Sequence, residues 1–79
     1  MGGTIDEDIA VERDATRLTA FSWQGQRYPI SAVQIMGTQP TRWWDGQGER
    51  TYVRVTAEQQ IYELYFDHER KAWVLSRRL

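Results

Sequence analysis

From Glu49 to Thr56 the chain reads Glu-Arg-Thr-Tyr-Val-Arg-Val-Thr. Val53 and Val55 share one side of this run, and Tyr52, Arg54 and Thr56 share the other. β-Branched side chains lose rotamer freedom in a helix, whereas β-branched and aromatic residues fit a pleated, half-buried surface. The run is therefore a strand. A lone strand or hairpin is marginal in water, so the rest of the chain must supply further strands.

Those partners are legible on both sides. Asp8–Arg13 alternates polar and apolar residues, and Asp14-Ala15-Thr16 forms its turn. Residues 1–7 are small and acidic and are expected to fray, which makes them a flexible acidic N-terminus before a single β domain over 8–79. In Leu18–Trp23, Leu18 and Ala20 fall on one face and Thr19, Phe21 and Trp23 on the other. Gln24-Gly25-Gln26 is a hairpin signal, and Arg27–Met36 is the return strand. Its apolar phase moves from even positions (Tyr28, Ile30) to odd ones (Val33, Ile35), which predicts a bulge or bend at Ser31-Ala32. Pro29 donates no ladder hydrogen bond, so this strand is an edge or is interrupted there.

Gly37–Thr41 and Asp45–Gly48 are turn sequences on either side of Arg42-Trp43-Trp44. Ala57–Phe66 is ambiguous. Thr56 and Gln59 mimic a capping box, and Ile61, Leu64 and Tyr65 have helical spacing. The alternation of Tyr62, Leu64 and Phe66 with Ile61, Glu63 and Tyr65 favours a strand after a four-residue loop, Ala57–Gln60. Asp67–Lys71 is a charged loop, and Ala72–Arg77 is a closing strand with Trp73 and Leu75 inward. The sum is all-β: a small antiparallel barrel or strongly curled sheet of five or six strands, SH3-like or OB-like in size.

Size and charge narrow the function. A chain of 79 residues is one domain with a modest core, and it has no cysteine for disulfides or thiolate metal sites. Four Trp, four Tyr and two Phe must supply the buried area. Residues 1–15 set five carboxylates against Arg13, a net of −4, while residues 16–79 set nine basic against six acidic side chains, a net of +3. Nine of the ten basic residues are arginine, which suits carboxylates, phosphates and aromatic faces. An anionic partner fits this body, and so does an ordinary mixed surface. No apolar run approaches the ~18 residues of a membrane helix, and the start lacks signal-peptide features, so a cytoplasmic location without membrane contact is expected.

Catalytic groups are sparse. The one histidine, His68, sits in the charged loop without a second His or a Cys as metal partner. Ser22, Ser31 and Ser76 have no base nearby in sequence. Asp45 and Glu49 flank a turn, where acids usually form the turn itself. Gly46 and Gly48 are only a fragment of a phosphate loop, with no Lys-Ser/Thr after them. No cofactor, metal site or enzymatic activity is expected.

Binding has better support. With Val53 and Val55 inward, Tyr52 and Arg54 face out beside Glu63 and Tyr65, and Trp43 or Trp44 stands at the rim. Such a Trp/Tyr/Arg face suits a protein or peptide hot spot, with single-stranded nucleic acid as the alternative. Tyr–Tyr and Arg–Glu cross-strand pairing that only stabilises the sheet is the competing explanation.

Five motifs follow one another along the chain: Trp23-Gln24-Gly25-Gln26-Arg27-Tyr28, Arg42-Trp43-Trp44, Tyr52-Val53-Arg54-Val55, Tyr62-Glu63-Leu64-Tyr65 and Trp73-Val74-Leu75. On these, Phe21–Leu79 resembles a small bacterial domain family of unknown function. Similar segments look like the C-terminal end of some Y-family-polymerase-like damage-tolerance proteins. The resemblance implies a strand over 61–67 and a DNA-associated or protein-recruiting role, and it names no catalytic residue.

Overall fold

Tight turns organise the chain. Gln24 and Gly25 take φ of 52° and 74°, and Glu58 and Gln59 take 50° and 65°. Two consecutive residues at positive φ make the two-residue turn whose twist matches that of antiparallel strands. Trp23 accordingly pairs with Gln26, and Ala57 with Gln60. The second loop is thus two residues, shorter than the four expected, and its non-glycine residues carry the left-handed conformation. Ala15, at φ 57°, turns the first hairpin. Asp67 Oδ1 accepts from the backbone N–H groups of Glu69 (3.0 Å) and Arg70 (3.2 Å), shaping the last one.

The computed structural model describes residues 4–40 and 48–79. Among these are six strands and no helix: β1 (Thr4–Asp14), β2 (Arg17–Trp23), β3 (Gln26–Pro40), β4 (Glu49–Ala57), β5 (Gln60–Asp67) and β6 (Ala72–Arg78). Each pairs antiparallel with its neighbour in sequence, and β1 pairs with β6, closing a barrel. The ambiguity over 57–66 resolves to a strand. The first strand begins at Thr4 instead of Asp8, with Thr4 opposite Arg77 and Glu7 opposite Leu75. Residues 4–7 are therefore part of the barrel, a correction to the expected frayed start. Pairing to β6 contributes the backbone hydrogen bonds that sequence polarity alone does not reveal.

Two strands change partners along their length. β1 pairs with β6 through Ile9 and with β2 from Ala10 onward. β3 pairs with β2 only over Gln26–Pro29 and with β4 over Ile30–Pro40. Pro29 thus sits where the strand passes from one partner to the other, and the register shift between Ile30 and Ala32 matches the expected bulge. A further shift follows Ile35.

The core contains Leu18, Phe21, Val53, Val55, Tyr62, Leu64 and Leu75. Leu18 and Phe21 were expected on opposite faces. Glu12 pairs with Ala20 and Arg13 with Leu18, leaving Thr19 as an extra residue on β2. This bulge flips the alternation, so both side chains reach the core. The Thr19 hydroxyl donates to the Glu12 carbonyl at 3.2 Å. Phe21 stacks on Tyr28 at 4.9 Å and meets Tyr62 edge-on at 5.2 Å.

Candidate functional site

The outward-facing set predicted from alternation is brought together only in part. Tyr52 lies opposite Tyr65 and Arg54 opposite Glu63 on β4 and β5. The tyrosine rings approach to 5.3 Å, and the Arg50 guanidinium sits 4.4 Å above the Tyr65 ring. Glu63 stands between two arginines, with Arg77 Nε at 3.3 Å and Arg54 Nε at 3.6 Å. The longer contact is an ion pair without a hydrogen bond, and Arg54 Nε is buried with no hydrogen-bond partner. Ser76 Oγ donates weakly to Glu63 Oε2 at 3.4 Å.

Tyr65 is only 6% exposed and Glu63 9%. Burial raises the Tyr65 hydroxyl pKa, against the lowering effect of Arg50. Both residues were expected on an open face. Tyr52 and Arg54 are half-buried and keep some accessible surface. Trp43 and Trp44 lie outside the described residues, as do the turn residues Asp45, Gly46 and Gln47. Alternation identifies which residues share a face and says nothing about whether that face is covered.

A different surface is open. Val33 pairs with Val55 and Ile35 with Val53, so the β3 residues share the inward side of their buried neighbours. Val55 is fully buried and Val53 is 4% exposed, yet Val33 is 41% and Ile35 74% exposed. The cause is strand length. β2 pairs with β3 only as far as Pro29, so beyond that point no described strand lies beside β3 on the β2 side. The barrel splays there into a groove of about 480 Å³. Leu18, Val53 and Trp73 line it with Val33 and Ile35, and Arg13 and Arg17 lie at its β1–β2 hairpin side. A smaller recess bounded by Arg17, Leu18, Ile30 and Val33 lies along the same β2–β3 gap.

Neither Arg13 nor Arg17 has an ion pair among the described residues, in contrast to Arg27 with Glu12 and Arg70 with Asp8, each at 2.7 Å. The Arg27 contact holds the Glu12 carboxyl below its ordinary pKa, chiefly through the hydrogen bond. Among the described residues, no acid lines either recess. Sequence reasoning missed this site, although the phase change to Val33 and Ile35 was its trace.

His68 makes one polar contact not foreseen from sequence. Its Nε2 lies 2.7 Å from Thr51 Oγ1, which lies 2.8 Å from Thr38 Oγ1. The His68 backbone N–H donates to the Glu49 carbonyl at 2.9 Å, and Phe66 meets the imidazole edge-on at 5.0 Å. These contacts tie the β5–β6 loop to β4 and β3. Among the described residues, no three His, Cys, Asp or Glu side chains cluster as metal ligands, and no helix is long and apolar enough to cross a membrane.

No curated protein and no solved structure matches the chain. A family model does match, over residues 3–79, and so includes the β1 segment as well as the motifs from Trp23 to Leu75. The chain belongs to the family described as Domain of unknown function (DUF6504).

Proposed function

We propose that this chain is a non-enzymatic interaction module that binds a protein or peptide, and that the partner docks in the groove between β2 and β3. The observation that supports this most is the exposure of Val33 and Ile35 on the inward side of β3. Apolar side chains of that orientation normally complete a core, and here they line an open concavity with a tryptophan in its wall. Tyr52 and Arg54 are secondary contact candidates because they retain surface, while Glu63 and Tyr65 act in the sheet itself.

Random displayed peptides panned against the wild-type protein and against Ile35→Lys test the reading. Ile35 is mostly solvent-exposed, so the substitution leaves the fold intact. Enrichment on wild type that disappears with Ile35→Lys is expected; equal recovery on both proteins would refute the docking site. The alternative is weak binding of single-stranded nucleic acid in DNA damage tolerance. Tyr52, Arg54, Arg13 and Arg17 are the groups it would use. Its signature is an oligonucleotide complex at low salt that weakens steeply as salt rises.

A further inference from the structure

We infer that the groove receives its partner as an added β-strand along Ala32–Ile35, and that this partner is an extended acidic peptide with apolar residues at alternate positions. The inference rests on the peptide-binding reading and specifies its chemistry. Ala32, Val33, Gln34 and Ile35 form an uninterrupted ladder with Thr56, Val55, Arg54 and Val53, bounded by a register shift at each end. On the opposite side, no described strand pairs with this stretch. A row of backbone donors and acceptors there is a template for another strand.

Natural edges are commonly blunted by lysine, proline or inward-pointing charge. The stretch Ser31-Ala-Val-Gln-Ile-Met-Gly-Thr-Gln39 has no charged residue and no proline. Register shifts on either side of Ala32–Ile35 limit the regular edge to a short segment, which suits a peptide better than a long sheet-to-sheet contact.

The groove also selects by charge. Strand addition draws affinity from main-chain hydrogen bonds and specificity from the pockets that take alternate side chains. Inward-pointing residues of the added strand would meet Leu18, Val53 and Trp73. Arg13 and Arg17, unpaired among the described residues, lie across the gap and provide planar forks for carboxylates. With two arginines and no acid among the described lining residues, carboxylates are the complementary charge.

A random peptide library panned at low salt against wild type and the double variant R13E/R17E decides the charge. Acidic, alternating peptides should be enriched on wild type, and the double variant should favour basic ones. Enriched peptides without acidic residues, or with no response to charge reversal, would overturn the acidic partner while leaving peptide binding in place. No enrichment at all would remove both readings. The strand mode is tested on the strongest peptide resynthesised with N-methyl groups on alternate amides. Methylation on the ladder-facing edge should weaken binding about tenfold or more, since two or three hydrogen bonds are lost. Equal affinity for both methylation patterns would overturn strand addition. A dimer that Ile35→Lys dissociates, found without peptide enrichment, would make a second copy the occupant and also overturn the proposal.

Discussion

Replacing Glu63 with glutamine isolates the role of the β4–β5 outer face. The substitution keeps the side chain's shape and removes its charge. Glu63 has a 12% exposed side chain, and both its arginine partners lie within 3.6 Å. Breaking a fully buried ion pair costs about 3–5 kcal/mol, because a charge is stranded away from water. The stranded groups here are Arg54 and Arg77, whose side chains are 38% and 46% exposed and can rehydrate. Solvent-exposed pairs contribute about 0–1 kcal/mol each. Two pairs of intermediate burial therefore give roughly 1–2 kcal/mol. For a domain of this size that is a fall in Tm of about 6–12 °C. Thermal melts followed by circular dichroism measure it, and the double variant E63Q/R77A should lose less than the sum of its single changes. An unchanged Tm in Glu63→Gln would refute the assignment of Glu63 to the sheet and return it to the list of contact residues.

Core truncation at Leu64, which is fully buried, should cost about 2–5 kcal/mol and leave Leu64→Ala near the limit of stable folding; a Tm within a few degrees of wild type would contradict the core assignment. Gln59 holds φ 65° in a two-residue turn, so Gln59→Gly should raise stability by about 0.5–1 kcal/mol in denaturant titration, and a loss would argue against this turn geometry. Burial raises the hydroxyl pKa of both Tyr62 and Tyr65. Their folded values exceed the unfolded value of about 10, so the stabilisation is complete below that pH and is lost as pH rises through the folded values. Melts on the alkaline side should show this decline, with a shallower slope in Y62F/Y65F; identical slopes would contradict it.

The strand at Glu49–Thr56, the turn at Gln24-Gly25 and the bulge after Ile30 are local consequences of side-chain type and phase, and all three were legible in the sequence. Two features were not. The extra residue at Thr19 lies within an apparently regular alternation, and only the pairing of Glu12 with Ala20 and Arg13 with Leu18 reveals it. The acidic start looked too polar for structure, yet Thr4–Ile9 forms the seam that closes the barrel against β6. The site shows the same division. Tyr52 beside Tyr65 and Arg54 beside Glu63 follow from counting residues along two strands. Burial of Tyr65 and exposure of Ile35 depend on which elements extend over each face, which is a tertiary property. The sequence places Val33 and Ile35 on one face, and the end of β2–β3 pairing at Pro29 leaves that face uncovered.

Amide chemical shifts of the labelled protein, titrated with an acidic peptide recovered from the selection, test the docking site most directly. Docking along the β3 edge predicts the largest shifts at Ala32–Ile35, at Leu18 and at the Trp73 indole, together with slowed amide exchange along Ala32–Ile35. Shifts confined to Tyr52, Arg54 and Tyr65, with the β3 edge unchanged, would contradict it.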